Sequence, residues 1–450
     1  MLKLSVMMRK KLRPTLFFVF LLISIILSTI SSAFGEDKES IFTPFTRVTL
    51  ENGLTVIVKE THFAPVVAVD VCVAVGAINE PSDQAGISHF VEHMFFKGTK
   101  RRKVGEIAGE IKAVGGNLNA VTSVDKTHYN MVVPSEYVDL LLDITADAIQ
   151  YSIFDPDEIE RERNVILEDL RQWNTYPWNM LFEEKRRQIF AGTPYANSLP
   201  GTSDTVNSIN REALIAYYHK YYVPNNMVLT VVGDVNTKEV LAQIEELFKD
   251  FKPGVIEPSP AVEISLPKES ARFEFSYDLR QTYMYFDFPV PPRTSEDGAA
   301  LSILQTILSG GKSGRLNKLY SYNLVNSVSA EYSSFRQVGM FGINVTTQNP
   351  TEVERWIQEA LKQVITEGVT ADEVALAKAI IRTGNVMNAE RALNLAYSIG
   401  NYEINGSLED GIKYERALQE VTKEDVQRVA EEYVNPERTT LFILRPKEAK

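Results

Sequence analysis

The stretch Ser88-His89-Phe90-Val91-Glu92-His93-Met94 decides how the rest of the chain is read. On a helix, positions 89, 92 and 93 are spaced i, i+3 and i+4, so their side chains share one face. Two imidazoles one turn apart can grip one metal ion, and a carboxylate between them reaches the water that such an ion holds. The order His-x-x-Glu-His is the inverted form of the common zinc-protease motif. The chain has only 5 histidines, and two of them sit here. The bland alternative is a solvated helix face carrying two ordinary histidines.

Upstream of the motif, residues 47–59 read as a hairpin: two apolar runs separated by Glu51-Asn52-Gly53. Residues 66–75 are a β-branched run of the kind a buried sheet strand needs. Pro81-Ser82-Asp83 breaks that run, the motif helix begins near 86–88, and Gly98 stops it. Downstream, the periodicity predicts helices at 104–114, 137–149, 157–173, 211–222 and 236–251. Strands are predicted at 118–133 and 227–233. Residues 252–260, rich in proline, read as a linker. The order then recurs, with strands at 271–276, 282–288, 327–335, 340–347 and 439–444. Helices follow the same plan at 297–308, 315–320, 353–367, 371–388 and 423–433. The expected fold class is α+β: two homologous two-layer α/β domains, each a mainly antiparallel sheet with helices packed on one side. The expected bounds are 41–251 for a catalytic domain, 252–261 for the linker and 262–446 for the second domain.

The 450 residues are 44 % hydrophobic and 24 % charged, with a formal charge of −12. That balance belongs to a globular protein and excludes nucleic acid as the main partner. Residues 1–13 carry Lys3, Arg9, Lys10, Lys11 and Arg13 and no acid, and 16–30 are almost wholly apolar. Ala33-Phe34-Gly35 offers a cleavage site, so 1–35 reads as a signal peptide and the mature protein as periplasmic or secreted. An uncleaved inner-membrane anchor is the alternative. Cys72 is the only cysteine, so no intrachain disulfide forms. The run Gly310-Gly-Lys-Ser-Gly314 lacks the glycine spacing of a phosphate loop, and no nucleotide is expected. His62, His128 and His219 receive no chemical role, and Trp173 and Trp178 read as core or rim residues.

Two histidines need a third protein ligand, since a catalytic zinc usually has three. The acidic helix at 157–173 offers Glu158, Glu160, Glu162, Glu168 and Asp169. Glu162 and Asp169, seven apart, return to nearly the same face, with Val165 and Ile166 between them expected to pack inward; Glu168 lies about 100° away.

The chain resembles the pitrilysin family of metallopeptidases, the inverzincins, and within it the processing-peptidase-like subgroup. The resemblance rests on 86–94, on Gly115-Gly116 with Asn119-Ala120-Val121-Thr122 and Asp125-Lys126-Thr127, and on 162–169. It implies His89 and His93 as zinc ligands, Glu92 as general base and Glu162 as a supporting glutamate behind the metal. The third-ligand position falls on Asp169, one methylene shorter than the family's glutamate, and Glu168 is the alternative. It implies one Zn2+ per chain and an extended peptide substrate added along Asn119 and Ala120; an ordinary core strand is the other reading of that segment. At the places where the family carries a substrate-contacting arginine and tyrosine, this chain has Tyr320 and Asn326. A paralogous subunit would supply the missing groups, or the second half closes a chamber in a homodimer. The expected function is a zinc-dependent endopeptidase; the rival is a non-catalytic or weakly active assembly subunit.

Overall fold

The structure, a computed structural model, describes residues 40–258, 261–262 and 266–447. The expected signal segment and part of the linker lie outside these residues. Two units divide the chain, Met1–Thr43 and Pro44–Lys450, and the architecture belongs to the second.

Strands β1 (Thr46–Thr49), β2 (Thr55–Glu60), β3 (Val66–Val73), β4 (Asn117–Thr122), β5 (Thr127–Pro134) and β6 (Met227–Gly233) form one sheet in the order β1-β2-β6-β3-β5-β4. Strands β7 (Ala271–Tyr277), β8 (Thr282–Val290), β9 (Ser327–Ser334), β10 (Gly339–Thr347) and β11 (Thr440–Pro446) form a second, in the order β7-β11-β8-β10-β9. In the first sheet β2 and β6 run parallel and every other pair is antiparallel. In the second, β7 and β11 run parallel and the rest antiparallel. With β1 set aside, the sheets match strand for strand. The α+β duplication expected from the recurring order is therefore present.

The first half carries helices α1 (Ile87–Met94), α2 (Glu106–Ala113), α3 (Val138–Tyr151), α4 (Pro156–Trp173), α5 (Pro177–Ile189), α6 (Ser203–Ser208), α7 (Arg211–Tyr221) and α8 (Thr237–Phe248). The second carries α9 (Gly298–Ser309), α10 (Lys318–Ser321), α11 (Pro350–Thr366), α12 (Ala371–Ala389), α13 (Ala392–Asn405), α14 (Leu408–Glu420) and α15 (Lys423–Tyr433). Among the described residues no helix is long and apolar enough to cross a membrane.

Strand period explains how each sheet meets its helices. Val67, Val69, Val71 and Val73 alternate along β3 and enter one core with Phe90, Ile111, Leu141, Ile166 and Leu214. The intervening Asp70 and Cys72 point to the other face, beside their register partners Asn130 and His128. That face is also buried, because α13 of the second half lies on β3, β5 and β6. Asp70 accepts hydrogen bonds from His128 Nδ1 at 3.0 Å and Asn130 Nδ2 at 2.8 Å, and Tyr397 of α13 stacks on the His128 ring at 4.0 Å. His128 is thus structural, as its sequence context implied. A Cβ on Gly400 would lie 2.5 Å from Asp70 Oδ2, so α13 approaches the sheet where it has no side chain.

The second sheet has the reciprocal arrangement. Its helix-side core holds Phe286, Phe288, Phe341, Ile343 and Leu304. Its other face is covered by α5 of the first half, where Leu181 packs on Tyr285, Phe442 and Leu444. Trp178 meets Tyr283 and Tyr285 edge-on at 5.1 and 5.0 Å. Lys185 Nζ lies 3.2 Å from Asp287 Oδ1 in this buried layer. Each half therefore lends one helix to the other's sheet.

Four helices depart from the sequence expectation: the periodicity does not predict α5, α6, α13 or α14. In α5 the buried set includes Lys185 and Arg186, and in α13 it includes Ala396 and Gly400, so neither shows a clean apolar stripe. Residues 118–133 are a hairpin rather than one strand, since Ser123 N donates to Lys126 O across a tight turn.

Gly400→Ala is expected to cost about 1–3 kcal/mol, because Asp70 is held by two hydrogen bonds and cannot retreat freely. Urea unfolding measures this; a change below about 0.5 kcal/mol would mean that α13 does not press on the sheet.

Candidate active site

Helix α1 is short and amphipathic. Ile87, Phe90, Val91 and Met94 are buried, which turns His89, Glu92 and His93 towards α4 and β4. The preceding residue, Gly86, has φ +93 and brings no side-chain cap. The cap comes from Glu80 instead: its Oε2 accepts Gly86 N–H at 2.7 Å and its Oε1 accepts Ser88 N–H at 2.9 Å. Ser88 Oγ lies 2.7 Å from Tyr217 Oη and ties the same turn to α7. Burial pushes the Glu80 carboxyl up to about 7, against the pull of these N–H groups and of Arg186.

Helix α4 starts at Asp155, whose carboxylate accepts Asp157 N–H at 2.9 Å and Glu158 N–H at 3.2 Å. Ile159, Ile166 and Leu170 anchor it, and Glu162 is buried with them. Val165 does not pack inward as expected: it is 44 % exposed, one step of about 100° from the buried Ile166.

Three residues expected at the metal, His89, Glu162 and Asp169, converge on His93. His93 Nδ1 lies 3.0 Å from Glu162 Oε2, and Lys97 Nζ lies 2.5 Å from Glu162 Oε1. His93 Nε2 faces His89 Nε2 at 3.2 Å, and Asp169 Oδ2 lies 3.7 Å from the same His93 atom. Glu168 is turned away, half exposed and paired with Arg171. Burial pushes the Glu162 carboxyl up, but the hydrogen bonds from His93 and Lys97 outweigh it and leave it below its ordinary value. Burial, then the neighbouring His93, drives His89 down to about 3, so its ring is neutral at any physiological pH.

Glu92 shares this face. Its Oε2 accepts the Thr122 hydroxyl at 2.6 Å. Burial raises its carboxyl above the usual range, Thr122 opposes that, and Asp169 adds to it. Thr122 ends β4, the edge strand of the sheet, which among the described residues pairs with β5 and with no strand on its other side. Along that edge strand Asn119 is exposed, while Ala120 shares the helix-side face with Thr122 and packs against the core.

The donor set fits a zinc ion in part. Bonds of about 2.0–2.1 Å in a tetrahedron put ligand atoms roughly 3.3–3.4 Å apart. The 3.2 Å between the two Nε2 atoms matches one such edge, whereas the 3.7 Å to Asp169 is longer and reaches only one ring. Glu162 on Nδ1 fixes the His93 tautomer that leaves Nε2 free to donate its lone pair. His89 Nδ1 is buried without a hydrogen-bond partner. Among the described residues, no group of three His, Cys, Asp or Glu is arranged tightly enough to hold a metal as it stands.

The remaining sequence candidates lie apart from this cluster. Tyr320 Oη accepts Val328 N–H at 2.9 Å, and Asn326 hydrogen-bonds Gln281, so both are engaged within the second half. His62 is an exposed partner of Asp234 at 2.7 Å. Residues 310–314 form the turn after α9. Glu80, Lys97 and Thr122 were not singled out from the sequence. The signal for Thr122 is that it closes the 119–122 segment, which the resemblance places near the metal site.

Residues 55–203 match the family model described as insulinase (peptidase family M16), and residues 208–381 match the one described as peptidase M16 inactive domain. A protein of Rickettsia felis named as an uncharacterized zinc protease is 31% identical over 364 residues, covering 78% of this chain and 86% of that one. Another of that description, from Mycobacterium leprae, is 30% identical over 406 residues, covering 86% of this chain and 89% of that one. Among solved structures, a protease from Helicobacter pylori is similar with a TM-score of 0.85 and 25% identity, covering 90% of this chain and 100% of that one. A peptidase M16 inactive domain from Pseudomonas fluorescens has a TM-score of 0.81 at 20% identity, covering 90% of this chain and 99% of that one. The doubled fold is thus that of the M16-like peptidases. The chain belongs to their family, the pitrilysin family M16.

Thr122→Val is expected to raise the Glu92 carboxyl further, because it removes the hydroxyl that opposes burial. A carbon-detected titration of labelled glutamate would show one midpoint moving up in Thr122→Val and staying in place in Thr122→Ser; no movement in the valine variant would contradict the assignment.

Proposed function

We propose that the chain is a zinc-dependent endopeptidase acting on peptides or unfolded segments. The observation that carries the reading is the shared face of α1: two imidazole nitrogens 3.2 Å apart, with Glu92 beside them and held by Thr122 at 2.6 Å. His89, His93 and Asp169 would hold the ion. Bound zinc would polarise the scissile carbonyl and acidify a water.

The chain's own residues do the rest. Glu92 has one oxygen on Thr122 and the other available to take a proton from water, then hand it to the leaving amine. Its raised carboxyl suits both directions of that transfer. Glu162 orients His93 through Nδ1, and Lys97 keeps Glu162 ionised. The open edge of β4, with Asn119 and Ala120, would receive an extended peptide by main-chain hydrogen bonds. The apolar 16–30 segment supports export to the periplasm or beyond.

A second reading is favoured by one observation: Asp169 is short, 46 % exposed and 3.7 Å from a single ring. A weakly active or non-catalytic subunit, completed by a paralogous chain or a second copy, fits that geometry and the engagement of Tyr320 and Asn326 elsewhere.

Glu92→Gln is expected to abolish peptide hydrolysis while one zinc per chain is retained; Glu92→Gln with full activity would sink the endopeptidase reading. Asp169→Ala is expected to weaken zinc at least about 100-fold, and Glu168→Ala to leave it unchanged. Metal analysis by dialysis reads both, and the reverse order would assign the third ligand to Glu168. Activity that appears only after a second family member is added would select the two-subunit reading.

A further inference from the structure

We propose that Glu80 is a positioning residue for the metal-binding helix, and that Arg186 of α5 steadies the segment carrying Glu80 through Asn197. The inference rests on the metallopeptidase reading of His89 and His93. Helix α1 has eight residues, no acidic residue in its first turn and a glycine at its N-cap, so nothing within it satisfies its leading N–H groups. Glu80 supplies both acceptors with one carboxylate, one oxygen to Gly86 and one to Ser88, the residue immediately before His89. A carboxylate bridging two N–H groups fixes the helix against rotation as well as displacement.

The bridge is itself anchored. Arg186 is fully buried, with Glu80 and Glu183 as the acids that favour its charge from beyond ion-pair distance, and its Nε and Nη1 have no hydrogen-bond partner among the described residues. Its Nη2 donates to Asn197 O, and Asn197 Nδ2 donates to Ala77 O at 2.9 Å, close to Glu80 in the chain. The loop bearing Asn197 and the helix α6 that follows it also clamp the entry to α1: Thr205 Oγ1 of α6 donates to Ala85 O at 2.7 Å, and a Cβ on Gly201 would lie 2.3 Å from that carbonyl oxygen. Next to Arg186 stands Lys185, buried and 3.2 Å from Asp287 of the second sheet. Neighbouring residues of α5 thus link the segment before the metal-binding helix, through Asn197, to the opposite half of the molecule. The position of the His89 and His93 rings relative to Glu162 and Asp169 of α4 depends on this strut.

The test uses the full chain with Co2+ as the probe. Glu80→Gln places an amide N–H2 against an N–H, so one of the two bonds is lost. It is expected to shift the visible absorption of bound Co2+, weaken Zn2+ about tenfold and lower kcat about tenfold or more, with KM within about twofold. Glu80→Asp should recover part of each change. Arg186→Met, which leaves both bonds from Glu80 in place, should move the same readouts in the same direction by less, and it carries the test if Glu80→Gln does not fold. Wild-type Co2+ spectrum and kcat in a folded variant of both residues overturn the proposal. If the wild-type chain binds neither metal, the metallopeptidase reading fails by itself. Hydrogen exchange of metal-free protein then decides: Glu80→Gln should speed exchange at Gly86 and Ser88 about tenfold, and unchanged exchange there overturns the positioning role.

Discussion

A sheet that is buried on both faces must find cover for both, and this requirement shapes the whole molecule. In each half the valine- and phenylalanine-rich face takes helices from its own segment. The second face is the problem. It carries Asp70, His128 and Thr230 in one sheet and Asp287 in the other, all buried. Polar groups in that position need partners as well as shielding. α5 brings both, Lys185 for Asp287 and Leu181 as cover, whereas α13 brings cover alone through Tyr397 and Gly400, since Asp70 takes its hydrogen bonds from His128 and Asn130 of its own sheet.

The candidate site inherits its order from that frame. α1 is wedged between sheet, α4 and α7 by four apolar side chains, so its polar face has little choice of direction. Behind His93 runs a line of charge, Glu162 and then Lys97, that sets the ring's tautomer. In front stands Asp169, more exposed and more loosely held. The supporting side of the site is therefore better determined than its open side, which is the side a ligand would approach.

Much of this was legible in the residues. The i, i+3, i+4 spacing at 89, 92 and 93 reports one helix face whatever the tertiary context. The seven-residue interval between 162 and 169 brought both acids to the neighbourhood of His93. The duplication showed in the repeated order of strands and helices. What stayed hidden depends on contacts between distant segments. Lys185 and Arg186 look like surface residues until an acid from elsewhere is set against them. Val165 looked apolar enough to be core, but the helix's buried stripe passes one step to its side. Glu80 lies in an irregular loop, and no local pattern announces a cap that acts on a turn six to eight residues later.

The exchange of α5 and α13 has a consequence for how the protein comes into being. The first sheet has one uncovered face until the segment ending at Asn405 has folded onto it. Long-range closures of this kind are slow and expose sticky surface while they wait. A nick in the irregular stretch at 252–258 would leave two fragments still clasped, like hooked fingers, because neither can let go without baring the face that the other keeps dry.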